Sequence, residues 1–153
     1  MLVRMIAVDR LRSAHVAALC AELRERLAPY HPYEEIEVRS GDGKDPRLAM
    51  RDEAARILRH LRADDRMWLL DRSGTQLSSE VLASRLEKIR TTGARRLTLV
   101  VAGAFGADAS LKMRAEFLWS LSELTFLHEW ARAFVLEQLY RAAKIVRNEP
   151  YHK

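Results

Sequence analysis

The stretch from Ser120 to Arg132 carries the residues of this sequence that are best suited to forming a ligand site. Residues 120–126 alternate in the manner of a short strand, and from Trp130 onward the apolar residues recur at helical spacing. His128 lies at the junction of the two patterns. Because ligands of open α/β sheets sit just beyond the carboxyl ends of strands, a hydroxyl-bearing strand end followed by a histidine predicts the floor of a binding site.

Three further features have both a chemical and a structural interpretation. The chain ends in Pro150, Tyr151, His152 and Lys153, which combine a rigid aromatic ring, a group that titrates near neutrality and a cation. The same four residues can equally be a frayed end. His128 can serve only to begin a helix, and Arg132 can pair with a carboxylate on a neighbouring element. The residues alone leave these alternatives open.

A glycine-containing loop, Gly103-Ala104-Phe105-Gly106-Ala107-Asp108, follows an apolar strand pattern. Glycine permits a sharp turn or a close approach between the backbone and a ligand, and Asp108 can cap the next helix. The loop lacks the glycine spacing of dinucleotide-binding folds and the lysine of phosphate-binding loops. It therefore predicts a site of backbone approach without specifying the ligand.

The elements that must position these residues alternate between strands and helices along the chain. Strands are predicted at 2–8, 33–38, 67–70, 97–102 and 120–126. Helices are predicted after Ser13, over 47–61, from Ser78 or Ser79 to Ile89, from Ala109 to about Trp119, and from Trp130. The stretch 33–38 has one polar face, which is typical of a strand near a sheet edge. This order predicts an α/β fold with a mostly parallel sheet and helices on both faces.

Composition limits the class of protein. A chain of 153 residues with 48% hydrophobic and 31% charged residues can bury a core as one domain, 1–153. The single cysteine, Cys20, excludes an internal disulfide and predicts a buried thiol. The net charge of +5, dominated by arginine, is consistent with an anionic partner. No apolar run is long enough to cross a bilayer, so we expect no membrane association and a cytoplasmic location.

Several blocks of sequence, in order, closely resemble the ribosomal large subunit pseudouridine methyltransferase H family of the SPOUT class. The blocks are VVAGAFG at 100–106, SLSELTF at 120–126, His128, Arg132, EQLYRAAKI at 137–145 and PYHK at 150–153. This resemblance implies a C-terminal trefoil knot, a homodimer and S-adenosyl-L-methionine as cofactor. It also implies methylation of N3 of a pseudouridine in large-subunit ribosomal RNA. The substrate would be the assembled ribosome, and the reaction would need no metal ion.

The resemblance also assigns roles to individual positions. It implies that the cofactor is bound by residues at three strand ends or following loops, namely Leu70, Ala102, Gly103, Leu121, Ser122, Glu123, Leu124, Thr125 and Phe126. It implies catalytic roles for His128, Arg132, Tyr151 and His152. His152 would act either as the base or as a charge that favours the deprotonated target.

Two departures from the family pattern bear on activity. The family has a paired glycine followed by proline or serine, where this chain has Ala102, Gly103, Ala104 and Phe105, and it has proline before the histidine, where this chain has Leu127. These differences leave two other functions open: a knotted dimer that binds RNA without turnover, and a methyltransferase of the same fold acting on transfer RNA.

Overall fold

The computed structural model describes residues 1–42 and 44–150. Its strands are β1 (Leu2–Val8), β2 (Tyr33–Val38), β3 (Arg66–Gln76), β4 (Arg96–Val101) and β5 (Phe117–Ser120). Its helices are α1 (Ala14–Leu27), α2 (Pro46–Leu58), α3 (Ser79–Thr91), α4 (Ala109–Arg114) and α5 (His128–Val146). Tyr151 and His152 lie outside the described residues, so their predicted roles stay predictions.

The five strands form one sheet in the order β2-β1-β4-β3-β5, and each neighbouring pair is parallel. This confirms the predicted α/β class with a parallel sheet, and it places β2 at an edge as its polar face indicated. Because the strands share one direction, all their carboxyl ends meet at the same side of the sheet. The loops that follow β1, β2, β3, β4 and β5 are therefore neighbours.

Helices cover both faces of this sheet. On β1, Val3, Met5 and Ala7 pack into a core with α1, α3 and α5, whereas Ile6 and Val8 pack into a second core with α2 and α4. Side chains alternate between the two faces of a strand, and both faces here are apolar, as expected of a covered parallel sheet. The helices begin where side-chain caps predicted: Ser13, Ser78 and Asp108 each accept a hydrogen bond from the first turn that follows.

The last strand lies earlier in the chain than we predicted. The predicted helix from Ala109 to Trp119 ends at Arg114, because Ala115 takes an extended conformation and the next amide, of Glu116, donates to the Met67 carbonyl at 2.8 Å. Pairing with β3 then continues over Phe117–Ser120. Residues 121–127 form a loop, so the predicted strand at 120–126 was wrong.

Strand β3 is longer than the predicted 67–70 and contains an irregularity. Leu70 and Thr75 both pair with Trp119 of β5, so the intervening residues bulge out of register. A Cβ at Gly74 would lie 2.4 Å from the Leu118 carbonyl oxygen, so only glycine lets the two strands pass this closely. The polar residues of this segment resemble a loop in sequence but continue the strand.

The trefoil threading stays a prediction of the resemblance.

Candidate functional site

A cavity of about 540 Å³ lies at the carboxyl ends of β3, β4 and β5. Leu70, Ala102 and Gly103, all predicted from sequence, line one part of it. The opposite part is formed by the loop after β5, through Leu121, Ser122, Leu124, Thr125 and Phe126. Of the nine predicted cofactor residues, only Glu123 does not line the cavity. The volume is within the range of small-molecule sites, which is about 300–1,000 Å³.

The loop after β5 is shaped by its own serines. The Ser120 hydroxyl donates to the Ser122 carbonyl at 2.9 Å, and the Ser122 hydroxyl accepts from the Leu124 amide at 3.0 Å. Such side chain to backbone bonds stabilise a turn in place of a strand. The hydroxyls that suggested a binding floor thus act locally, and they hold the aliphatic residues of the loop at the cavity.

His128 begins α5 and also lines the cavity, so its structural and chemical interpretations are compatible. Its Nε2 atom is buried and has no hydrogen-bond partner among the described residues. Leu127, at the position before the helix, provides no side-chain cap. A buried ring nitrogen without a partner is costly, and a ligand or water at the cavity would satisfy it.

Sequence reasoning missed a charged pair in the cavity wall. Asp71 and Lys112 both line the site, and the Lys112 ammonium lies 2.8 Å from an Asp71 carboxylate oxygen. Ser73 donates to Asp71 through its amide at 2.8 Å and through its hydroxyl at 2.5 Å. Burial works to raise the pKa of Asp71, but these hydrogen bonds and the ammonium outweigh it and lower the pKa. Asp71 is therefore held as a carboxylate in the cavity wall.

Gly103 makes its close approach to a protein group, which differs from our expectation of approach to a ligand. A Cβ at this position would lie 2.7 Å and 2.9 Å from the two carboxylate oxygens of Glu53. The Glu53 residue is only 4% exposed, and its Oε1 accepts from the Gly41 amide at 3.1 Å. Glu53 thereby joins the loop after β4 to the loop after β2.

Arg132 is placed away from the cavity lining, in a buried ion-pair cluster. It is 1% exposed and pairs with Glu35 and, at 2.7 Å, with Glu37 of β2. It also donates to the Asp9 carbonyl at 3.0 Å. Burial disfavours the charge, but the hydrogen bonds to Glu37 and Glu35 outweigh it and raise the pKa of Arg132. Arg132 therefore forms the ion pair with a neighbouring element that the sequence left open as an alternative. Its direct catalytic contact stays a prediction.

The bulk of Phe105 does not close the site. This side chain is 56% exposed at the cavity mouth. A second cavity of about 360 Å³ adjoins the first through Trp119, Ser120, Leu121 and Phe126, and continues to Ser79 of α3. The Ser79 hydroxyl bonds to Gln138 of α5 at 2.9 Å. The departures noted in the sequence thus leave room for a ligand.

Cys20 is buried as predicted, and burial raises the pKa of its thiol, which makes it a poor nucleophile. Residues 1–42 and 44–150 contain no cluster of His, Cys, Asp and Glu able to hold a metal ion. Within the same ranges, no helix has the length and apolar character needed to span a membrane.

Comparison with known proteins identifies the family. A family model described as predicted SPOUT methyltransferase matches residues 1–152. A protein of Rubrobacter xylanophilus named ribosomal RNA large subunit methyltransferase H is 42% identical over 154 residues, covering 97% of this chain and 96% of the relative. Proteins of the same name from Syntrophotalea carbinolica and Gloeobacter violaceus are 40% and 39% identical, covering 97% and 99% of this chain and 96% and 99% of the relatives. The chain therefore belongs to the SPOUT methyltransferase family.

Proposed function

We propose that this protein transfers a methyl group from S-adenosyl-L-methionine to N3 of a pseudouridine in large-subunit ribosomal RNA. The observation that carries the proposal is the cavity between the Gly103 loop and residues 121–126, with the unpartnered Nε2 of His128 in its wall. The names of the relatives support the choice of substrate. Family membership supports a methyl donor as the ligand.

The residues present fit this cofactor. Leu70 and Leu121 offer aliphatic surface to the flat adenine ring, and the backbone beside Ala102 and Gly103 supplies hydrogen-bonding groups for its edge. The Asp71 carboxylate and the Lys112 side chain, which lie 2.8 Å apart, would face the amino-acid end of the molecule. When bound, the cofactor would supply an electrophilic methyl group, which a nucleophile attacks in line with the sulfur that leaves as a thioether.

The chain itself must align the target base and handle one proton. N3 of the pseudouridine becomes nucleophilic when its proton leaves, and a cation or a base near it favours that form. The position of His128 in the first turn of α5, at the cavity, supports this role. We also propose that Tyr151 and His152 act on the target base, with His152 as base or as charge. Arg132 would act by positioning the loop after β1, through its bond to the Asp9 carbonyl.

We further propose that the protein is a homodimer associating through the first half of α5. Trp130 is 45% exposed and Phe134 is 37% exposed, and Phe134 packs edge to face against Phe126 with ring centroids 4.9 Å apart. Leu139, further along the helix, is buried in the chain's own core. An exposed aromatic group of this kind indicates an interaction surface. Trp130→Glu should shift sedimentation from dimer to monomer, and a wild-type monomer at micromolar concentration would refute the proposal.

The function is tested by combining cofactor titration with RNA mapping. Calorimetry should show binding of S-adenosylmethionine to the purified protein. Incubation with large ribosomal subunits from a bacterial strain that lacks this modification should then add one methyl group to a pseudouridine, located by mass spectrometry. Binding of ribosomal RNA without methyl transfer to any RNA would indicate a knotted dimer that binds RNA without turnover. Methylation of transfer RNA but not of the subunit would indicate a methyltransferase of the same fold that acts on transfer RNA.

A truncated protein ending at Pro150 separates the roles of cavity and tail. Removal of residues 151–153 should leave cofactor affinity within about twofold, because the cavity lining lies in the described part of the chain. Loss of a proton-handling group should lower the single-turnover rate by about 10²-fold or more. Equal rates for the full-length and truncated proteins would show that the tail has no catalytic role.

A further inference from the structure

A larger cavity, of about 730 Å³, lies at the carboxyl ends of β1 and β2. Arg10, Arg12 and Arg39 line it, and all three are exposed. Because the sheet is parallel, this cavity opens on the same side as the candidate cofactor site. The proposed function does not yet use it.

The charged groups that line this cavity are three arginines and two carboxylates, Asp9 and Glu37. Glu37 is occupied by Arg132, the Asp9 carboxylate accepts from the Ser40 amide at 3.2 Å, and Arg39 pairs with Asp42 at 2.7 Å. The guanidinium groups of Arg10 and Arg12 have no hydrogen-bond or acidic partner within residues 1–42 and 44–150. Two exposed guanidinium groups that make no ion pair and lie on one short loop are suited to binding an anion.

The loop that carries these arginines is held rigidly. Asp9 has a positive φ of 65°, its amide donates to the Val38 carbonyl at 2.8 Å, and its carbonyl accepts from Arg132. At the other end, Glu129 Oε2 accepts from the amides of Arg12 at 3.1 Å and Ser13 at 3.0 Å. A loop fixed at both ends presents its arginines with little loss of conformational entropy on binding.

The same contacts connect the loop to the methyl-transfer site. Glu129 is adjacent in sequence to His128, whose ring lines the cofactor cavity. One turn of α5 therefore contacts the cofactor cavity through His128 and fixes the arginine loop through Glu129 and Arg132. A polyanion that places one nucleotide at the cofactor cavity would bring neighbouring phosphates within reach of this loop.

We propose that Arg10 and Arg12 bind the phosphodiester backbone of the substrate RNA beside the target nucleotide. The inference rests on the proposed function and identifies the surface that this function requires. Arginine suits the task because its planar fork donates two hydrogen bonds to one phosphate. Extrusion of a base from a folded RNA needs such contacts to hold the flanking backbone.

The test compares an Arg10→Ala/Arg12→Ala variant with a matched control, Arg59→Ala/Arg95→Ala. Arg59 and Arg95 are exposed arginines at the amino-end side of the sheet, and their removal lowers the net charge equally. Binding to large ribosomal subunits is measured from low to high salt, together with the methyl-transfer rate and S-adenosylmethionine affinity. Wild-type transfer to the subunits is established first, so that failure of the proposed function is recognised separately.

The Arg10/Arg12 variant should bind S-adenosylmethionine normally but lose about tenfold or more in kcat/KM for the subunits. Its plot of log affinity against log salt should flatten by about 1.4 to 1.8, the contribution of two phosphate contacts. An Arg10→Lys/Arg12→Lys variant should restore the salt dependence because it keeps the charges. An unchanged slope, or an equal loss in the Arg59/Arg95 control, would overturn the inference while leaving the proposed function intact.

Discussion

At the scale of single residues, the structure changes the reason for a glycine at position 103. The sequence suggested space for a ligand, but the contact is with the buried carboxylate of Glu53. Glu53 also accepts from Gly41, so one side chain holds two loops of the carboxyl edge together. The glycine therefore controls the shape of the cofactor cavity from behind the loop.

Gly103→Ala should lower the free energy of unfolding by about 1–3 kcal/mol, because the new methyl group overlaps the Glu53 carboxylate. Cofactor affinity should fall as the loop moves. Glu53→Ala should also destabilise, since the Gly41 amide loses its acceptor. In the double variant the new methyl group has no carboxylate to overlap. The losses of the two single variants should therefore add up to about 1 kcal/mol more than the loss measured for the double variant. Urea unfolding measures this coupling, and strict additivity would contradict it.

Part of the site was predictable because strand ends in a parallel sheet converge. That rule, with the resemblance, led to Leu70, Gly103 and residues 121–126. Asp71 and Lys112 were missed because no local pattern relates two residues on separate elements, and their pairing depends on how α4 returns across β3. Burial of Arg132 was likewise decided by β2, which lies far away in the sequence.

At the scale of elements, α5 is joined to the edge strand β2 by charge as well as by packing. Arg132 lies between Glu35 and Glu37, and Glu35 is also paired with Arg24 of α1 at 2.8 Å. Arg132 of this cluster also contacts the loop after β1 through the Asp9 carbonyl. It therefore couples the position of the helix to the position of that loop.

Arg132→Met should destabilise the protein by about 3 kcal/mol, the lower end of the range for breaking a buried ion pair, because Glu37 is partly exposed and can regain water. The matched control is Arg26→Met, which removes an exposed pair with Glu22 one helical turn away. That change should cost about 0.5 kcal/mol or less. Equal losses in urea unfolding would show that the cluster contributes no more than a surface pair.

Element prediction succeeded where periodicity and capping agreed and failed where length was short. β1, β2 and the helices after Ser13 and Ser78 follow from apolar spacing and side-chain caps. The four residues of β5 are too few to show a period, so the sequence pattern assigned the first three to the preceding helix and Ser120 to a later strand. The alternation over 120–126 occurs in a loop because its apolar residues line a cavity and do not pair with a strand.

At the scale of the whole molecule, stability should depend on pH through His31. Burial lowers the pKa of this histidine, and the positive N-terminal amine, Arg90 and Arg147 add to the effect. In the unfolded chain its pKa is about 6.5. The unfolded state therefore binds a proton before the folded state does, and the stability contributed by neutral His31 is lost as the pH falls below about 6.5.

His31→Gln should reduce the loss of unfolding free energy between pH 7.5 and pH 5.5, because glutamine gains no proton in the unfolded chain. Urea unfolding at the two pH values measures the difference. The control His15→Gln removes an exposed histidine near the start of α1 and should keep the wild-type loss. If the His31 variant and wild type lose equal stability, another group determines the acid sensitivity.

The two borders of the sheet constrain how this molecule can associate. β2, at one border, carries Glu34, Glu35 and Glu37, and β5, at the other, offers only four residues. Charged side chains along a border strand obstruct its pairing with another strand, and a very short strand gives few main-chain bonds to an incoming one. Edge-to-edge growth into aggregates is thereby disfavoured at both ends. The proposed association through α5 would leave the backbone of both borders out of the contact.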